Sequence, residues 1–358
     1  MRKKSIILSV FLAVFGAAFS QEFLWKAGMH GFFDNNEFSG SQLRNSQTMA
    51  GIHIAPEVGL GWNKQHRIFV GADLMHEFGS DRLIDYSDLI AYYEFDRQPF
   101  RFYIGSFARK MTLEKYPRMF FQDSILNYRP MVTGIFWEKY SDKYFLNAWL
   151  DWTGRQTKVT NEAFFVGLSG RYNLKMLYGQ LFSYYYHFAS KKDPEIPEGL
   201  HDNGLVWASL GIDLTEETDC FEKLEANAGW TAGVERDRSI REWHTPQGFL
   251  SEIKVEYKGL GLFNSYYRGG RQQVFYGDHS NEVYWGDPFY RSTEYNRTDL
   301  YIKFIETEVV RLKFTCSFHL VEKAVYHEQL FTATFDLDNF SMKKEKNYEY
   351  IWDNWFKR

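Results

Sequence analysis

The sequence predicts an all-β membrane protein, a transmembrane antiparallel up-and-down β-barrel of about sixteen strands (roughly fourteen to eighteen) with short periplasmic turns and longer extracellular loops. Three observations carry that prediction. Apolar and polar residues alternate with period two along nearly the whole chain after residue 20. Aromatics are 19% of the residues, with 33 Phe and 24 Tyr, a usage that few soluble enzymes approach. The connections between the alternating segments are short and long by turns, which a soluble β-sandwich has no reason to show.

The N-terminus reads "MRKKSIILSVFLAVFGAAFSQEF". Basic residues, an apolar run from Ile6 to about Ala18 and the small pair Ala18/Ser20 are the layout of a cleavable secretory signal, residues 1–20, which leaves 21–358 as the barrel. Later in the chain no segment approaches the roughly 18 apolar residues that a membrane helix requires, so a membrane is crossed with strands. The whole chain carries 42 Lys+Arg against 46 Asp+Glu, and loss of Arg2, Lys3 and Lys4 with the signal makes it more acidic still. An acidic exported chain is a poor nucleic-acid binder. Its two cysteines, Cys220 and Cys316, make no disulfide framework.

In chain order, the first predicted strands are 23–34 and 48–62; in "AGIHIAPEVGLGW", Ile52, Ile54, Val58, Leu60 and Trp62 oppose Gly51, His53, Glu57 and Gly59. Next come 67–78, with Ile68, Val70, Ala72 and Leu74 against Arg67, Asp73 and Glu77, then 87–96, 100–108, 130–139, 143–152, 162–170, 172–188 and 204–214. Segment 221–236 sets Leu224, Ala226, Ala228, Trp230, Ala232 and Val234 against Glu225, Asn227, Thr231 and Glu235. Segments 247–258 and 260–268 share "GFLSEIKVEYKGLGLFNSYY", where Phe249, Ile253 and Val255 form the apolar face and Glu252, Lys254 and Glu256 the wet one. The "KG" at 258–259 reads as the tight turn between them. The series ends with 294–305, 308–320 and 324–338.

Connections at 63–66, 97–99, 140–142, 171, 215–220, 259 and 306–307 are short, and those at 35–47, 79–86, 109–129, 153–161, 189–203, 237–246 and 269–293 are longer. That asymmetry is the outer-membrane arrangement. The tail 339–358, "NYEYIWDNWFKR" at its end, also alternates, and is either a periplasmic tail or a closing strand.

With its signal, its alternation, its aromatic content and its loop asymmetry, the chain resembles the porin-like β-barrels of Gram-negative outer membranes. The resemblance covers 21–358 and is architectural. "YEYIWDNWF" has the aromatic-ended form of a last strand in such proteins, except that Lys357 and Arg358 follow it. It implies a location in the outer membrane of a Gram-negative bacterium and passive passage of small polar solutes.

A barrel of this size holds an aqueous lumen unless something fills it. The wet phase of the strands places Glu57, Arg67, Asp73, Glu94, Arg101, Asp151, Glu225, Glu252, Lys254, Glu256, Arg297, Asp299, Lys303, Arg311 and Lys313 inward as pore-lining residues, either as a transverse field or as structural ion pairs. The 109–129 connection, "RKMTLEKYPRMFFQDSILNYR", is a candidate constriction loop through Arg109, Lys110, Lys115 and Arg118; its apolar side chains allow it either to enter the lumen or to pack outside it. The 269–293 loop offers Tyr276, Tyr284, Trp285 and Tyr290 as a candidate glycan-binding surface, against the plainer reading of packing and interface girdle. That gives the alternative function, a non-conducting barrel that binds a surface polysaccharide.

A barrel hydrolase needs a histidine with a Ser or Asp partner at the outer rim. The sequence offers His30 with Asp34, His187 with Ser190, and His201 with Asp202, none in a hydrolase motif. His30, Asp34 and Glu37 lack metal-ligand spacing. The expectation is therefore a protein that is not an enzyme, without cofactor or metal, whose partners are outer-membrane lipid and small polar solutes or glycans, with an oligomer left open.

Overall fold

The computed structural model describes residues 21–193, 200–239, 241–341, 348 and 350–354; the predicted export signal, 1–20, lies outside them. The described residues form one closed antiparallel sheet of seventeen strands. In order they are β1 (Glu22–Glu37), β2 (Gln47–Trp62), β3 (His66–Glu77), β4 (Tyr86–Arg97), β5 (Phe100–Ala108), β6 (Met131–Tyr140), β7 (Tyr144–Gly154), β8 (Ala163–Leu174), β9 (Leu177–Phe188), β10 (His201–Asp213), β11 (Lys223–Asp237), β12 (Glu242–His244), β13 (Gln247–Tyr257), β14 (Leu260–Gly269), β15 (Glu294–Glu306), β16 (Val310–Val321) and β17 (Ala324–Asp338). β12 has only three residues, an outer extension of the β11 edge, so sixteen strands build the wall. Closure comes from β1, which pairs with β2 on one side and with β17 on the other, from Lys26↔Asp338 to Glu37↔His327.

Lys258 and Gly259 both take positive φ (47° and 86°), the left-handed pair that a two-residue hairpin requires. The turn expected at residue 171 falls instead at Lys175-Met176, with Lys175 at φ 55°. Gly170 lies in extended register opposite Leu146, and the alternation runs through it without slipping. The described tail residues, 339–341, 348 and 350–354, form no closing strand, and β1 and β17 occupy each other's edges. The last of them lie against the periplasmic β13–β14 turn, where the Ile351 N–H donates to the Lys258 carbonyl at 2.9 Å and the Tyr350 hydroxyl accepts from the Glu306 N–H at 2.7 Å.

The outer wall is apolar and the inner wall polar, as period two demands. On β13, Ile253 is 45% exposed on the outside, while Glu256, three residues on and in the opposite phase, is buried inside. Ile253→Arg is expected to lower barrel stability by about 2–4 kcal/mol in urea titrations in lipid, because it sets a charge near the bilayer midplane. Lys254→Glu, facing the lumen, is expected to fold. Glycines on the inner face make room for rings: a Cβ at Gly167 would collide with Trp149, and one at Gly261 with Tyr301.

Candidate functional site

The lumen is filled. After β5 the chain turns inward, and residues 109–130, with the short helix α1 (Asp123–Tyr128), lie inside the barrel. Phe120 is wholly buried, and Phe121 packs 5.8 Å from Phe165, which meets Trp285 of the 269–293 loop at 4.8 Å. The two connections hydrogen-bond to each other, Gln122 N–H to the Trp285 carbonyl (2.8 Å) and Asp287 N–H to the Arg118 carbonyl (2.9 Å). Burying each such ring contributes about 1.5–3 kcal/mol relative to a water-filled lumen.

The loop cations proposed as a constriction are accordingly anchors. Arg109 is 1% exposed, donates to Asp151 at 2.6 Å and lies 5.0 Å over Trp285. Lys110 reaches Asp336 (2.8 Å), Lys115 sits over Phe145, and Arg118 contacts Asp123 and Asp299. Arg109→Ala leaves Asp151 buried and unpaired; a loss of about 3–5 kcal/mol is expected, read from urea unfolding of the refolded barrel. The aromatic loop residues are corrected in the same way. Tyr284, Trp285 and Tyr290 are buried in the lumen core, so no glycan can stack on them; Tyr276 alone of the four is partly open. Tyr284 donates to Glu235, and burial together with that carboxylate holds its hydroxyl far above the ordinary phenol range.

The inward charges pair with one another or with inner-wall partners. Arg67 meets Glu94 (2.6 Å), Arg101 meets Glu138 (3.3 Å), Glu225 meets Arg171 (2.6 Å), and Glu57 lies 3.8 Å from Lys26. Glu256 is held by Lys303 (2.8 Å) and Lys254 (3.2 Å), Arg311 by Asp336 (2.8 Å), and Asp73 by His53 (2.5 Å). Arg297 binds Asp299 at 2.7 Å and Asp123 at 2.9 Å. Glu252 and Lys313 line a cavity of about 320 Å³ beside residues 113–118, with Lys313 4.3 Å over the Tyr301 ring. Burial pushes the Asp123 carboxyl up, but the guanidiniums of Arg118 and Arg297 outweigh it and hold it below the usual range.

The histidine pairs separate by strand face. His30 and Asp34 point into the lumen, where His30 is tied to Thr334 (3.1 Å) and Asn127 (3.2 Å) and Asp34 to Asn36. Glu37 is in the opposite phase, so no cluster forms from His30, Asp34 and Glu37. His201 and Asp202 are adjacent in β10 and face opposite sides. Among the described residues no hydrogen bond joins His187 to Ser190. The partner of His187 is Asp202, directly opposite it across the β9–β10 ladder, with Nδ1 3.0 Å from Oδ1.

That pair stands on the outside of the wall at the outer rim. It belongs to a lateral row in continuous register, Trp152↔Phe164↔His187↔Asp202↔Arg236↔Trp243, from β7 to β12. Trp152 stacks on Phe164 (5.2 Å), which meets the His187 ring at 5.1 Å. Asp202 also accepts from the Tyr185 hydroxyl (2.5 Å) and from Arg238 Nε (2.7 Å), which fixes its carboxylate. The Arg236 guanidinium lies 4.7 Å over Trp243, and its Nε has no hydrogen-bond partner among the described residues. Below the row the wall is apolar, with Val166 and Val234 both exposed to lipid. Chemically this is an imidazole with its Nδ1 against a carboxylate that also binds the Arg238 guanidinium, on the outer side of the wall at its rim.

The fold is that of outer-membrane porins. The outer-membrane protein OprD from Pseudomonas aeruginosa matches with a TM-score of 0.54 at 9% identity, over 91% of this chain and 97% of that one. OpdK from the same organism matches at 0.52 and 9% identity, over 89% and 99%. OccK9 (OpdG) matches at 0.51 and 11%, also over 89% and 99%. The chain is thus an outer-membrane β-barrel. No curated protein matches it. A family model described as lipid A 3'-O-deacylase-type matches residues 17–351. That match overturns the expectation that the protein is not an enzyme, which rested on the lack of a linear hydrolase motif. Residues that meet only across neighbouring strands leave no linear motif to read. By this match along nearly its whole length, the chain belongs to the lipid A 3'-O-deacylase-type family.

Proposed function

We propose that this protein is an outer-membrane esterase that removes the 3'-O-linked acyl chain of lipid A at the outer wall of the barrel, around His187 and Asp202. The observation that carries the reading is the His187–Asp202 contact at 3.0 Å on the lipid side of the outer rim, where a glycolipid of the outer leaflet presents its ester bonds. Asp202 orients the ring through Nδ1. His187 Nε2 takes a proton from water as the oxygen adds to the ester carbonyl, then returns it to the departing sugar oxygen, leaving a fatty acid and a free 3'-hydroxyl. Arg236, stacked on Trp243, suits a phosphate of the headgroup, and Trp152 and Phe164 flank the acyl chains. Fatty-acid release from lipid A liposomes by the refolded protein tests this. Arg236→Gln is expected to raise KM about 10-fold or more with little change in kcat, the loss of one charge-assisted contact of roughly 1.5–3 kcal/mol. An unchanged KM removes Arg236 from the site.

Passage of small polar solutes through the lumen is the second reading, favoured by the polar cavity of about 320 Å³ beside residues 113–118. Steady ohmic steps from the intact protein in a planar bilayer would support it. The packing of the two inner loops leads us to expect such steps only after residues 109–129 are shortened.

A further inference from the structure

Inside the outer rim, behind the row just described, three side chains that the proposed esterase chemistry does not use come together. His201 begins β10, Asp237 ends β11 directly opposite it in register, and His279 comes from the 269–293 loop. Each offers a ligand atom, and the three atoms lie within 4.8 Å of one another. The His201 and His279 rings are 5.0 Å apart between centroids.

His201 is wholly buried. Its Nε2 is 3.4 Å from the Tyr284 hydroxyl, while Nδ1 has no hydrogen-bond partner among the described residues. A buried ring nitrogen without a partner loses its hydration for nothing in return, unless a ligand takes it up. A cation satisfies a bare imidazole lone pair, and the Asp237 carboxylate supplies the compensating charge.

We propose that His201, Asp237 and His279 bind a divalent transition-metal ion of the zinc class. Two imidazoles and one carboxylate are a nitrogen-rich set that suits Zn²⁺ rather than Ca²⁺ or Mg²⁺, with the fourth position left to water. Metal–nitrogen bonds of about 2.0–2.1 Å set ligand atoms of a tetrahedron about 3.3 Å apart, so the site closes by roughly an ångström on binding. His279 makes that movement, since it stands on a loop while the other two are fixed in the wall. The ion then ties the 269–293 loop, half of the lumen filling, to the outer ends of β10 and β11. The site is independent of the esterase reading.

The test is titration of the refolded, chelator-treated barrel with Zn²⁺ in a calorimeter, with Ca²⁺ as the comparison ion. One Zn²⁺ per chain is expected, with no Ca²⁺ binding at the same concentrations. His279→Ala and, as a second variant in a different element, Asp237→Asn are each expected to weaken binding more than about 10-fold. Heat-modifiable migration on gels shows that each variant is folded, and if one fails to fold the other decides. The proposal is overturned by the absence of stoichiometric Zn²⁺ binding, by equal binding of Ca²⁺, or by full binding in a folded variant.

Discussion

His187→Asn is expected to lower the rate of fatty-acid release from lipid A by about 10²- to 10⁴-fold, the usual contribution of a positioned general base, and to leave the barrel folded. The ring is on the outside of the wall, and its polar contact is Asp202, 3.0 Å away. Its removal therefore opens no cavity in the lumen core. Asp202→Asn should fall in the same direction, because the amide no longer holds the imidazole in the tautomer that leaves Nε2 free to accept a proton. Residual activity near wild type in both folded variants would remove the dyad from the chemistry. In the opposite control, His30→Gln should retain activity, since both nitrogens of His30 are already bonded to Thr334 and Asn127 inside the lumen.

Arg297→Ala is expected to have the largest effect on stability. The Arg297 guanidinium touches Asp299 (2.7 Å) and Asp123 (2.9 Å), with Glu328 at 3.8 Å and Asp287 at 3.9 Å. Removing it leaves buried acids crowded without their cation, and a loss of about 3–5 kcal/mol or more is expected in urea unfolding. The pH dependence has a definite sign. Asp123 is held below its ordinary value in the folded chain, so its contribution is present above the unfolded carboxylate pKa and is lost as pH falls through the folded one. The gap between wild type and Arg297→Ala should therefore narrow as pH drops below about 4, where protonation relieves the crowding. A gap that is flat or widens on acidification would show that the carboxylates are not its cause.

The architecture was legible because period two is a strong signal in strands that are wet on one side and lipid-facing on the other. Ile253 against Glu252, and the Lys258-Gly259 turn, read directly from "GFLSEIKVEYKGLG". The filled lumen was less legible, since a charge facing water and a charge facing another loop occupy the same phase of a strand. A signal was nevertheless present: Phe165, Tyr184, Tyr186 and Trp207 share the inward phase with the charges, and all four are buried in the structure. A water-filled pore has no use for so many inward rings. The apolar stretch Met119-Phe120-Phe121 in the 109–129 connection is their complement.

The His187–Asp202 contact on the outer wall was half legible. His187 stood out as a candidate, but paired with the wrong neighbour, because nearness in sequence was the only available guide. Its true partner is 15 residues away on the next strand, brought opposite by the register of β9 and β10 across a long outer connection. Asp202 was likewise paired with His201, although adjacent strand residues point to opposite faces. Applying the strand phase to each polar residue would have excluded that pair and placed His187, Asp202 and Arg236 together on the outside.

The most direct measurement is the mass of lipid A recovered from liposomes after incubation with the folded wild-type protein. Loss of one 3'-O-linked acyl chain, with the remaining chains in place, is the expected result. Lipid A of unchanged mass, from protein shown to be folded and inserted, would contradict an esterase at the outer wall.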